Sequence, residues 1–191
     1  MKCDFGKYFV CARAQKDLDK AINQIMALHK YNVRFLKVPS FIKYIERLDD
    51  LSSTFQKIML MGHFDNAFTE IVGECYPLHS SICEVRVLSH RFNKGDKDDP
   101  NRRALEALAD MGVIVKVNVD AHARMFIGFH EKPYVSELLL GSFDFNRDGL
   151  SRHKVNAGII TKNPDLVREA VDFFEKIWAR KGSVPLEEYI K

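Results

Sequence analysis

The chain has 191 residues, with 29 Lys and Arg against 26 Asp and Glu, a formal net charge of +3. That balance suits one domain with an extension, and any nucleic-acid partner would need a local basic patch rather than a generally basic surface. Hydrophobic residues make up 46% and charged residues 29%, the composition of a globular domain that buries its own core; no stretch is apolar enough to span a bilayer.

The chain order of elements begins with a helix over roughly 14–30, where Leu18, Ile22, Ile25, Met26 and His29 share one face. The run "NVRFLKV" reads as a strand stopped by Pro39, and "SFIKYIERLDDL" as a helix with Ser40 as its cap. "FQKIMLMGHF" is a short apolar strand, "NAFTEIVGECY" a helix, and "CEVRVLSH" a strand by alternation and β-branching. The loop "NKGDKDDP" ends with Asp99 as cap and Pro100 at the first helical position; the helix through "NRRALEALADM" stops at Gly112. "VIVKVNV", "HARMFIGF", "YVSELLLGS" and "VNAGIIT" are four more strands, the middle two joined around "HEKP". "NPDLVREAVDFFEKIW" closes the chain as a helix capped by Asn163 and Pro164, with Phe173, Phe174 and Trp178 expected in the core. Alternating strands and helices predict an α/β fold with a mixed, mostly parallel sheet flanked by helices. The first 54 residues read as a helix-strand-helix extension packed on a domain over 55–191. Cys3, Cys11, Cys75 and Cys83 form no Cys-x-x-Cys pair, so a zinc site is not expected; the scattered thiols suggest a reducing compartment, although four cysteines could also pair, and with no secretory leader read at the start a cytoplasmic location is expected.

The chemistry concentrates in two segments. In "AHARMFIGF" a strand would place His122, Arg124, Phe126 and Gly128 on one face, and Met125, Ile127 and Phe129 on the other. In "LLLGSFDFN" the same alternation groups Ser142, Asp144 and Asn146 after Gly141. Imidazole serves as nucleophile or general acid near neutral pH, guanidinium grips phosphate with a planar fork, and small polar donors complete an oxyanion cradle. Beyond these, Arg102, Arg103, Arg147, Arg152, His153 and Lys154 either track a nucleic-acid backbone or form solvated surface. His63 and Asp65 in "GHFD" either face a cleft or make a strand-end turn.

The two segments together resemble the phospholipase D superfamily, whose signature is H-x-K-x4-D followed by G-S-x-N and a second Asn. Here His122-x-Arg124 is followed by Phe129 at the Asp position, then by Gly141, Ser142, Asp144 and Asn146. The "GL" turn, the strand and the closing helix that follow also look like this family, and the likeness runs from about Phe55 to Arg180. Arg124 replaces Lys, Phe129 replaces Asp, Asp144 replaces Asn, and Asn156 aligns with a family Glu. The resemblance implies a metal-independent phosphodiesterase without cofactors, most readily a nuclease since small single-motif members commonly are. Two facing motifs make one site, so a single motif implies a homodimer. His122 would be nucleophile in one copy and acid/base in the other. Arg124 would hold phosphate, Ser142 and Asn146 would support the cradle, and Gly141, Asp144, Arg147 and Asn156 would contact substrate. The alternative is a degenerate module that binds nucleic acid, a phosphorylated ligand or a protein without cleavage. Asp144 decides much of this. An ionised carboxylate has no donor for a phosphate oxygen: it either draws Arg124 to itself or points away and leaves the donor role to Asn146.

Overall fold

The computed structural model describes residues 34–37, 54–70, 83–146 and 157–191. Strands β1 (Arg34–Lys37), β2 (Lys57–Gly62), β3 (Glu84–Ser89), β4 (Ile114–Val117), β5 (Met125–Phe129), β6 (Glu137–Gly141), β7 (Ala157–Thr161) and β8 (Val184–Pro185) form one sheet. Its order is β1-β7-β6-β5-β2-β3-β4-β8. Only β2–β3 and β3–β4 among these neighbours are parallel pairs. Across the whole sheet β1, β2, β3, β4 and β6 still run one way, against β5, β7 and β8. The expected mixed sheet is therefore present, with more antiparallel contacts than the sequence suggested. β1 comes from the stretch read as an extension and is hydrogen-bonded to β7 as an edge strand.

Both faces of the sheet are covered, which explains why the central strands read as continuous apolar runs. Ile58, Leu60, Val85, Val87, Phe126 and Leu139 enter one core, beneath helix α1 (Pro100–Asp110) and the short helix α3 (Leu186–Tyr189). Met59, Met61, Leu88, Met125, Ile127 and Leu138 enter the other, against Val167, Phe174 and Ile177 of helix α2 (Pro164–Trp178). Phe126 is thus fully buried in the first of these cores, not displayed beside His122. In α2, Phe174 is buried and stacks on Trp178 at 5.5 Å, but Phe173 is 44% exposed, contrary to its predicted core position. Cys83 lies in the first core; burial, then the Glu84 carboxylate, pushes its thiol up to about 12, so it is an inert packing residue.

The predicted helix caps are present. Asp99 accepts from Asn101 N–H and Arg102 N–H, and Gly112 takes φ +90° past the end of α1. Asn163 does the same for α2 through Asp165 and Leu166 N–H. Residues 66–70 begin the helix expected in "NAFTEIVGECY"; its remainder, and the helices expected over 14–30 and from Ser40, lie outside the described residues. β8 and α3 were not predicted: two strand residues and four helical ones are too short for periodicity to show. No helix among the described residues is long and apolar enough to cross a membrane.

One buried polar group fixes the strand ends that carry the site. Asn101, fully buried on α1, accepts from Phe64 N–H at 2.9 Å and donates to Ser89 Oγ at 3.1 Å. It therefore ties the end of β2 to the end of β3. Asn101→Ala would strand the buried Phe64 N–H, worth about 1–3 kcal/mol when left unpaired, while Ser89 Oγ keeps its donation to the His90 carbonyl at 3.1 Å. A urea denaturation should show a loss of about 1–3 kcal/mol on that basis; a loss under about 0.5 kcal/mol, the usual surface effect, would mean the tether is not structural.

Candidate active site

β2, β3, β4 and β6 all end at one edge of the sheet, where β5 begins. The loop from Asn118 to Arg124 and the segment from Ser142 to Asn146 meet there. The structure starts β5 at Met125, so His122 and Arg124 stand in the lead-in to the strand rather than on it. The turn is held by Asn118, whose carbonyl accepts from Ala121 N–H and whose side-chain oxygen accepts from Asp120 N–H at 2.7 Å. His122 N–H donates to Asp120 carbonyl at 3.0 Å. This leaves the His122 side chain exposed at the sheet edge.

After β6, burial alternates as the sequence suggested. Phe143 and Phe145 are buried, whereas Ser142, Asp144 and Asn146 are exposed or half-buried. Phe145 stacks on Phe64 at 5.0 Å with the rings 4° from parallel. Its backbone bridges β2's continuation: Phe145 N–H donates to His63 carbonyl at 2.8 Å, and Asp65 N–H donates to Phe145 carbonyl at 3.1 Å. Gly62 permits this, since a Cβ there would sit 2.9 Å from the Phe145 ring. Gly141 has its own steric reason: a Cβ would lie 2.7 Å from the Ala157 carbonyl oxygen of the neighbouring strand. Ser142 Oγ accepts from Ala157 N–H at 3.2 Å, serving the start of β7.

Arg124 and Asp144 are paired. Arg124 Nε donates to Asp144 Oδ1 at 2.8 Å and one terminal nitrogen reaches Oδ2 at 3.5 Å. The other terminal nitrogen donates to the His122 carbonyl at 2.7 Å. Of the two outcomes open from the sequence, the carboxylate has drawn the guanidinium to itself. Phe129, which the sequence resemblance sets at the position of an Asp, lies at the opposite end of β5, paired with Lys57. Four strand steps, about 13 Å, separate it from Met125, so its replacement does not touch the His122 edge. Arg147 and Asn156, with Arg152, His153 and Lys154, lie outside the described residues. Arg102 is engaged by Glu106 at 2.9 Å and Arg103 by Asp98 at 3.7 Å, which places both in surface pairs on and before α1.

Two further histidines reach this edge. The register sets Gly62 opposite Ser89, so His63 and His90, each the next residue, emerge side by side. The His90 ring packs on the His122 ring, centroids 4.2 Å apart and tilted 42°. Burial first, then the positive charges of His122, Arg91 and His63, hold His90 below the ordinary imidazole range, and a hydrogen bond with Val119 backbone opposes this. His90 was not singled out from sequence. The available signal was a His directly after each of two apolar strands of parallel type. Among the described residues, no three His, Cys, Asp or Glu side chains are grouped to hold a metal ion.

Because His90 titrates lower folded than unfolded, its contribution to stability is complete above the ordinary imidazole range and is lost as pH falls through it. The urea midpoint should therefore drop between about pH 7.5 and about pH 5.5, and drop less in His90→Gln. An equal drop in both proteins would contradict the assignment.

No family model and no curated protein matches the sequence. Solved structures do match. A phospholipase D family member, Nuc from Salmonella typhimurium, superposes with TM-score 0.61 at 12% identity, covering 81% of this chain and 97% of that one. NucT from Helicobacter pylori gives 0.58 at 12% identity, covering 81% and 99%. Polyphosphate kinase from Porphyromonas gingivalis gives 0.58 at 18% identity, covering 85% of this chain but 28% of the kinase. Sequence motif order and three-dimensional architecture arrive at the same place: the fold of this chain is that of the phospholipase D superfamily.

Proposed function

We propose that this chain is a phosphodiesterase of the nuclease type, acting on nucleic acid as a homodimer through a phosphohistidine on His122. The observation that carries the reading is the exposed His122 imidazole at the sheet edge where Arg124, Asp144 and Ser142 converge. The likeness to Nuc and NucT over nearly their whole length supports it. Each chain brings one motif, so the second imidazole comes from the partner copy across a twofold axis. Neutral His122 attacks phosphorus, forming the P–N bond as the bond to the leaving oxygen breaks; the partner's His122 gives that oxygen its proton. The same partner imidazole then takes a proton from water, the resulting hydroxide attacks phosphorus, and the P–N bond breaks to restore His122. Arg124, whose guanidinium holds the His122 carbonyl, orients the nucleophile's backbone in this scheme.

One observation favours a second reading. With Nε and a terminal nitrogen on Asp144 and the other on a carbonyl, Arg124 presents no free fork to a phosphate. A module that binds phosphodiesters without cleaving them would look the same. Purified protein assayed on single- and double-stranded DNA, RNA and a generic phosphodiester, with and without chelator, separates the two. The enzyme reading expects chelator-resistant cleavage that falls at least about a hundredfold in His122→Ala, and a dimeric mass by light scattering. Tight binding with no turnover on any substrate selects the module.

A further inference from the structure

Arg124 is committed to Asp144, yet the same edge of the sheet carries basic side chains with no such commitment. Beyond His90 an open groove of about 610 Å³ is lined by His63, His90, Arg91, Lys94, Asp99 and Tyr189 among others. Four of these are basic and one is acidic. The acid is spent on the backbone: Asp99 Oδ1 accepts from Asn101 and Arg102 N–H at 2.9 and 3.2 Å, and Oδ2 lies 3.4 Å from Asn93 N–H. No carboxylate among the described residues pairs with Arg91 or Lys94. The groove is also built in advance. Lys94 carbonyl accepts from Arg102 at 2.6 Å, Asn93 Oδ1 accepts from Gly95 N–H at 3.1 Å, and Tyr189 OH donates to Phe92 carbonyl at 3.1 Å. A ring contact of 4.2 Å then connects the groove, through His90, to His122.

We infer that this groove is a phosphate subsite, in which Arg91, Lys94, His63 and His90 take the internal phosphate of a nucleic-acid strand that lies next to the one at His122. The inference rests on the phosphodiester reading of His122 and names where the rest of the strand is gripped. Its physics is ordinary: Arg91 and Lys94, exposed and without a carboxylate partner among the described residues, bind a polyanion with release of counterions, and the two imidazoles add hydrogen-bonding groups beside them. The low titration of His90 agrees: burial lowers it first, and then the charges of His122, Arg91 and His63, which face it. An anion in the groove relieves that repulsion, so by linkage its binding raises the protonation midpoint of His90.

The test uses the full chain and two probes. Inorganic phosphate is titrated while imidazole NMR signals are followed with pH; an unlabelled oligonucleotide, with or without a 5′-phosphate, competes with a fluorescent single strand. Phosphate should raise the His90 midpoint and shift the His63 signals. Arg91→Ala with Lys94→Ala should weaken both phosphate and oligonucleotide binding at least about tenfold, and should flatten the salt slope of log K by about 1.4, or 0.7 per lost contact. Arg124→Ala should change phosphate affinity less than about twofold, because its guanidinium is already paired. Equal affinity with and without the 5′-phosphate supports an internal phosphate; binding confined to the phosphorylated strand overturns that assignment. Unmoved histidines at saturating phosphate, or phosphate binding lost in Arg124→Ala and kept in the double variant, overturn the subsite itself. If phosphate binds as described but no nucleic acid does, the nuclease reading falls and the anion site stands.

Discussion

Two backbone hydrogen bonds, Phe145 N–H to His63 carbonyl and Asp65 N–H to Phe145 carbonyl, sew the segment after β6 onto the end of β2. Because β5 lies between β2 and β6 in the sheet, that segment must pass over the start of β5. The lead-in to β5 carries His122 and Arg124, so the crossing brings Asp144 onto Arg124. The Phe64–Phe145 stack and the absent side chain at Gly62 make the crossing sterically possible. Asn101 secures it from beneath by holding Phe64 N–H. The positions of the site residues thus follow from core packing on the α1 side of the sheet.

The crossing has an electrostatic consequence. Opposite unit charges about 4 Å apart attract by about 4 kcal/mol at an effective dielectric of 20 and about 1 kcal/mol in water. The Arg124 and Asp144 side chains are 36% and 27% exposed, so solvent screening places the pair toward the weaker end. Even so, a phosphate approaching Arg124 must displace a carboxylate that is already in place and meets its repulsion. The cations of this edge without a carboxylate partner among the described residues are Arg91 and Lys94, in the groove beyond His90. In the proposed reading the site keeps its nucleophile candidate while Arg91 and Lys94, at the strand ends beside it, supply the anion grip.

Much of the fold was legible from local pattern. The strand runs, the caps at Asp99 and Asn163 and the stop at Gly112 all follow from period and cap chemistry, which act within a few residues. The alternation of Ser142, Asp144 and Asn146 was equally local. What escaped depended on register and on contacts distant in sequence. His90 becomes notable only when Gly62 is set opposite Ser89, and Asn101 only when Phe64, 37 residues away, is brought to it. The shared face expected for His122, Arg124 and Phe126 failed because the strand begins after Arg124 and because both sheet faces are buried. Gly141 would be read as a motif residue from sequence, but the approach of the Ala157 carbonyl requires it with or without chemistry.

Asp144 holds the fork of Arg124 that would otherwise face a phosphate. Measuring the dissociation constant for inorganic phosphate in Asp144→Asn tests it directly, since the substitution keeps shape while removing the charge and restoring a donor. Phosphate should bind at least about threefold tighter than in the unaltered protein, a gain of about 0.7 kcal/mol, and Arg124→Ala should abolish this gain when added to Asp144→Asn. Weaker phosphate binding in Asp144→Asn would contradict it, and would show that Asp144 orients Arg124 for the anion instead of excluding it.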